Sequence, residues 1–432
     1  MFLKLFILIL LSTSFEVFSQ NYVPIDSSDY SIRKEFVNQF KHKNKTAIIA
    51  LKERFTGKTG KELGKIYTDF SDYFSKEVEE KNYAFKSGFE DYLLGLLKEL
   101  QKENPNIPKD LKVLVAKNNT PNAYCLFDGS FIINLGLFRW LDNSDQIASV
   151  LAHELGHRLL EHNLKNQLNR IETNLKNKNE IQQLGTLKFN RSVKAFDLLK
   201  KQSYDKGQIS RKHEIESDSV GYILFKKSMF KKIEFINALK NMKSYDTISP
   251  YEVKKETYKL LFDLPNEQFR EDWLKMEDFS SYNYNLFNEK IDKDSISSHP
   301  ETDARLDRLK SLFPELTKTE SPLQADETFI RLQKVAQMEI LPNFFHDEDY
   351  GLGIYACLQF IQNENEVNYH KKWLGKCFQK IHEGRKNYQL NRYLHKINPK
   401  EQSLSYQQYL SFMWNLKLNE IKAIADFYSK EN

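Results

Sequence analysis

Apolar side chains recur every three or four residues along most of this chain, the spacing of helices with one buried face. Phe85, Phe89, Tyr92, Leu93, Leu96 and Leu100 predict an amphipathic helix within residues 81–104, ended by Asn104-Pro105-Asn106-Ile107-Pro108. Residues 111–116 and 131–135 are short apolar runs, and Asp128-Gly129 is a hairpin turn signal, so a small sheet follows. The next helix has Asn143 or Ser144 as cap, Asp145 in its first turn, and Ile147, Ala148, Val150, Leu151, Leu155 and Leu159 as its apolar face. Residues 20–80 read as a polar, Lys-rich helical region broken at Thr56-Gly57-Lys58-Thr59-Gly60, which lacks the spacing of a phosphate loop. Residues 164–209 are rich in Asn, Lys and Gln and predict helical arms or a lid. Residues 225–242 predict one more packed helix.

Beyond Pro314 the composition shifts. Residues 320–432 hold few glycines, and apolar positions over 355–361, 373–381, 388–394 and 409–416 predict stacked helix pairs. Trp373-Leu374-Gly375 hints at a tetratricopeptide-like repeat, although its 34-residue signature is not met.

With 432 residues the chain is long enough for two or three domains. Its net charge of +5 is spread among interspersed acids, which describes solvated surfaces and argues against a nucleic-acid partner. Residues 1–19 read as a signal peptide: Lys4 opens it, residues 5–11 are apolar, and Val17-Phe18-Ser19 precede a cleavage after Ser19. The expectation is an exported, periplasmic or secreted protein. No later stretch reaches the about 18 apolar residues of a membrane-spanning helix. Of the cysteines, Cys125 reads as a small buried residue, and Cys357 and Cys377 are candidates for a disulfide; no CxxC pair suggests cysteine-bound metal.

The chemistry concentrates in His153-Glu154-Leu155-Gly156-His157. Residues four apart share a helix face, so both imidazoles can reach one ion, and Glu154 can reach a water on it. Gly156 in mid-helix costs about 0.5–1 kcal/mol against alanine, which implies close packing there. A hydrolytic zinc takes three protein ligands and a water. His162 would face elsewhere on a continuing helix. Glu180 is a weaker candidate because no helically spaced aspartate follows it. Glu214 and Asp218 are an i,i+4 pair within Ser210–Gly221, so one can bind the ion while the other steadies a ligating histidine.

These segments, with His299-Pro300-Glu301-Thr302-Asp303-Ala304-Arg305, resemble the zinc endopeptidase family of the CAAX prenyl proteases and HtpX-type quality-control proteases. That family pairs HExxH with SRxxExEADxxG; this chain reads SRKHEIESDSVG, with Ser217 in place of alanine. Asn122-Ala123-Tyr124 followed by Gly136-Leu137 also matches. The resemblance spans residues 80–315 and, lacking a membrane-embedded segment, looks like the soluble exported branch. It implies an α+β, mostly α-helical fold of the zincin (gluzincin) type over residues 81–315, with one Zn²⁺ held by His153, His157 and Glu214. Asp218 supports them, Glu154 is the base, and His299 and Arg305 assist the carbonyl, or His299 plugs the site. Glu216 matches a frequent glutamate whose role the motif does not supply. Residues 122–124 would align a polypeptide substrate by strand addition.

The functional expectation is an exported zinc metalloendopeptidase in quality control of envelope or misfolded proteins. The alternative is an envelope chaperone or assembly factor whose C-terminal helices bind a protein partner. An exopeptidase would need a subsite for a chain terminus.

Overall fold

The computed structural model describes residues 22–186, 191–247, 252–276, 302–318, 321 and 323–430. The signal-peptide expectation and His299 lie outside them. The chain forms two compact units. The first holds the described residues of Ile25–Thr247 and Tyr284–Ala336. Its elements are α1 (Tyr30–Arg54), α2 (Gly57–Glu79), β1 (Tyr83–Ala84), α3 (Phe89–Lys102), β2 (Val113–Ala116), β3 (Ala123–Cys125), β4 (Phe131–Asn134), α4 (Gly136–Trp140), α5 (Ser144–Leu159), α6 (His162–Thr186), α7 (Arg191–Phe225), α8 (Glu234–Thr247) and α9 (Thr302–Leu312).

The four strands run in the order β1-β2-β4-β3. β2 and β4 are parallel; β1 and β3 pair antiparallel at the two edges. Strands β2 and β4 are buried throughout, as their continuous apolar runs require when both faces are covered. On one face the main core joins Leu93, Leu97 and Leu100 of α3 to Val115, Ile133 and the apolar side of α5. On the other, Val37, Phe40, Phe74 and Val78 pack on Leu114 and Ile132. Of residues 20–80, read as a region of their own, residues 25–80 therefore belong to this unit: α1 and α2 supply the cover that the second sheet face needs. Further along, Ile48, Leu63 and Tyr67 pack against Leu164 and Ile171, which anchors the near end of α6. Residues 225–242 are not one helix. α7 ends at Phe225 and α8 begins at Glu234, because the intervening Phe230 and Ile233 turn into the core.

The second unit contains the described residues of Ile248–Asn283 and Gln337–Asn432, together with residues 22–24. Its helix Val367–Lys386 packs on Tyr350–Gln362, both of them predicted helical stretches, and on Leu418–Lys430, which was not among them. Only Leu390–Tyr393 is helical within 388–394, since Tyr388 takes a left-handed φ of 58°. Residues 252–276, expected inside the domain over 81–315, join this unit instead. Tyr258, Phe262 and Trp273 all pack against Phe412, at 5.1, 4.8 and 6.2 Å between ring centres, the first and last edge-on and Phe262 tilted. Cys357 and Cys377 are buried free thiols, and burial raises both. Among the described residues no helix is long and apolar enough to cross a membrane.

Candidate active site

Helix α5 starts where its sequence says it should: Asn143 Oδ1 accepts the Gln146 N–H at 3.0 Å. Its first turn is tied to the start of α8. Asp145 accepts the Lys231 N–H at 2.7 Å, and Glu234 accepts from the Gln146 side chain at 2.8 Å. Ile147, Ala148, Leu151, Ala152 and Leu155 are fully buried. With that face spent on the core, His153, Glu154 and His157 are half-buried along the wall of a cleft.

Helix α7 crosses α5 at two glycines. A Cβ on Gly156 would lie 2.7 Å from Ser217 O, and one on Gly221 would lie 2.8 Å from Ala152 O and from His153 Cα. The two backbones touch, so the packing that Gly156 implies is real. This approach brings Glu214 to the histidines. His153 Nε2 and His157 Nε2 are 3.1 Å apart, His157 Nε2 is 3.3 Å from Glu214 Oε1, and His153 Nε2 is 3.5 Å from Glu214 Oε2. Tetrahedral Zn²⁺ with bonds of about 2.0–2.1 Å needs ligand atoms about 3.3 Å apart. The donor set and its spacing therefore fit that ion. Glu180, the weaker candidate, lies on α6, and its side chain is outside the described set.

Behind these residues the polar contacts are ordered. His153 Nδ1 donates to Asp218 Oδ1 at 2.9 Å, which turns Nε2 toward His157 and Glu214. Arg305 of α9 forks onto Asp218 with Nε at 2.8 Å and Nη2 at 2.7 Å, and its Nη1 lies 3.5 Å from Glu214. Burial opposes the Asp218 charge, but Arg305 and then His153 outweigh it and hold the carboxyl down at about 2. Burial also opposes a proton on His153, yet Asp218 and Glu214 pull the imidazole up to about 10. A cation would have to displace that proton, because only neutral imidazole binds metal. Burial raises Glu154 above the ordinary carboxylate range, against the opposing effect of His153 and His157.

His162 departs from the sequence expectation. Glu161 adopts a left-handed φ of 53°, which ends α5 and restarts the chain as α6. The His162 ring swings back, with Nδ1 3.1 Å from His157 Nδ1 and Nε2 3.1 Å from Glu216 Oε2. His213 stacks on it at 3.9 Å. Burial, with the neighbouring His213 and His157, pushes His162 down to about 4. The motif spacing gave no sign of this, since Glu161 is an unusual residue for left-handed backbone.

Strand β3 forms the opposite lip. Asn122 O accepts from Asn134 N and Leu126 N donates to Ser130 O, so the ladder uses even-numbered residues. The backbone groups of Ala123 and Cys125 then face the open edge. Of the expected substrate-binding residues, Tyr124 is exposed, Ala123 lines the cleft, and Asn122 turns its side chain to its own neighbour, accepting the Ala123 N–H at 2.9 Å.

The sequence profile described as Peptidase family M48 matches residues 91–313, more than half the chain, from within the first turn of α3 to just past the end of α9. The chain belongs to peptidase family M48. It is a family of metalloproteases, and the mostly helical unit with its small sheet is an M48 zincin-type fold. Two similar curated proteins are both described as "Beta-barrel assembly-enhancing protease". The one from Yersinia pestis is 40% identical over 48 residues, 11% of this chain and 10% of that protein. The one from Escherichia coli (strain K12) is 42% identical over 45 residues, 10% of this chain and 9% of that protein. The matched segment is thus about a tenth of each relative's length.

Proposed function

We propose that this chain is a zinc metalloendopeptidase that holds one Zn²⁺ on His153, His157 and Glu214. The observation that carries this is the convergence of the two Nε2 atoms, 3.1 Å apart, on the Glu214 carboxylate, with Oε1 3.3 Å from His157 and Oε2 3.5 Å from His153, and Glu154 beside them on the cleft wall. When bound, the ion supplies Lewis acidity, polarising the scissile carbonyl and bringing a water's pKa to about 7. Glu154, beside those ligands on the cleft wall, would be the group that accepts a proton from the attacking water and returns one to the leaving amine. Asp218 keeps the His153 proton on Nδ1, and Arg305 keeps Asp218 charged. That use of the guanidinium favours a positioning role for Arg305 over direct help to the carbonyl.

A polypeptide suits the cleft better than a small molecule does. Its volume of about 1670 Å³ exceeds the about 300–1,000 Å³ of small-ligand sites. The β3 edge faces the cleft at Ala123 and Cys125; with the Ala123 N–H taken by Asn122 Oδ1 and the Cys125 N–H by Glu154, it is the carbonyls of these residues that can align an extended substrate. With the relatives' names and the signal-like residues 1–19, we extend the proposal to exported or envelope proteins as substrates.

The test is the purified chain with Glu154→Gln and Glu214→Ala, assayed for bound zinc and for cleavage of an unfolded protein. Glu154→Gln is expected to keep its zinc and lose at least about 10²-fold in rate. Glu214→Ala is expected to lose zinc. Full proteolysis by Glu154→Gln would reject the assigned base, and full occupancy in Glu214→Ala would reject the ligand.

A further inference from the structure

His162, Glu216 and Ser217 lie outside the ligand set proposed above, yet they are bonded to it. The proton positions can be counted. If His157 offers Nε2 to an ion, its own proton is on Nδ1. That N–H points at His162 Nδ1, 3.1 Å away, which must then accept it. The proton of His162 is consequently on Nε2, where Glu216 Oε2 accepts it at 3.1 Å. Ser217 Oγ, also 3.1 Å from His162 Nδ1, can only donate to the same lone pair, and His213, stacked flat on the ring, holds it in place. His162 has a side-chain exposure of 2%, so this order is not averaged by solvent.

We infer that the Glu216–His162 pair positions His157 for metal binding. The pair selects the His157 tautomer and aims its Nε2, as Asp218 does for His153 without an intermediary. The two ligating histidines of α5 would thus each be backed by a carboxylate of α7: one touches its histidine, and the other acts through an imidazole. This assigns Glu216 a task that its place in the motif does not supply, and it rests on the zinc reading above.

His162, His213 and Glu216 could themselves be taken for a second metal site, since their donor atoms also cluster. Two features oppose that. An ion on His162 Nε2 would force its proton onto Nδ1, so His157 would have to accept there and carry its own proton on Nε2, which removes a ligand from the first site. The His162 and His213 rings are also nearly parallel, 11° apart, so their in-plane lone pairs do not converge.

The experiment measures zinc affinity by chelator competition, zinc per chain, and thermal unfolding of the chelator-treated protein, for wild type and variants. Glu216→Ala and His162→Ala are expected to weaken zinc about 10–100-fold with stoichiometry held at one. Glu216→Gln and His162→Gln, which can still accept the same protons, are expected to recover most of that loss. The double variant His162→Ala/Glu216→Ala is expected to be no weaker than His162→Ala alone, because the two act as one chain. A merely structural role would instead lower the melting temperature of the chelator-treated protein in step with the affinity. Should His162→Ala fold poorly, Glu216→Ala, whose side chain is 39% exposed, decides alone. Wild-type affinity in Glu216→Ala overturns the inference, as does a wild-type stoichiometry of two that falls to one. A wild-type chain with no zinc affinity overturns this inference and the reading beneath it together.

Discussion

Asp218 shows how much one side chain carries at this site. It accepts the Arg305 fork and the His153 proton while almost fully buried. A carboxyl held near 2 instead of the ordinary 3.8 contributes about 2 kcal/mol to folding. The sign follows from the depressed value: the stabilisation is complete above about 4 and is lost as pH falls through 2. Replacing Asp218 with Asn leaves the buried Arg305 charge short of its main partner, for which about 3 kcal/mol is expected at pH 7. Urea unfolding in chelator, from pH 6 down to pH 2.5, should show the gap between wild type and Asp218→Asn narrowing with acid. A gap that stays constant would mean that Asp218 is not the charged partner described. Spacing alone made this residue half of an i,i+4 pair and the family resemblance gave it the supporting role; its ion pair with Arg305, 87 positions away, had no sign in the spacing.

At the scale of elements, the crossing of α5 and α7 decides whether a site exists. Gly156→Ala puts a methyl 2.7 Å from Ser217 O, a contact that only a backbone shift relieves. Moving α7 outward carries Glu214 away from both imidazoles. The expected result is a loss of about 1–3 kcal/mol in unfolding free energy, typical of overpacking, together with weaker zinc retention. Chemical denaturation and metal analysis on one sample check both, and an unchanged metal content would show that the crossing tolerates the methyl. Gly156 was readable because a glycine is costly in mid-helix. His153, Glu154 and His157 were readable because their spacing needs nothing but a helix. His162 was not, because five residues along a continuing helix place it away from His157; the left-handed Glu161 that reverses this has no sequence signature. Exposed Arg54 pairs with Glu161 at 2.9 Å and marks the same corner from α1.

For the molecule as a whole, the division into units follows the buried aromatic residues more closely than the order of the chain. The first core includes Phe329, Leu332 and Ala336, beyond the expected domain end, and the second takes Tyr258, Phe262 and Trp273 from within it. Period-matched helices predicted the elements well, but amphipathicity names a face and not the partner that covers it. Truncation after Pro314 therefore strips residues from one core and leaves the aromatics of 252–276 without theirs. The expected product is aggregation-prone and melts well below the full chain, as measured by calorimetry and size exclusion. A soluble truncated chain with the melting point of the full chain would contradict this partition.

The paired glycine contact has one more consequence. Histidines on one helix and a glutamate on the next are brought into register by backbone fit and a buried apolar face, with no ion required to gather them. Such a centre is preorganised, unlike a zinc finger that collapses when stripped. Chelation should silence the protein yet leave its far-ultraviolet spectrum intact, and restoring the cation should revive it at once, without refolding.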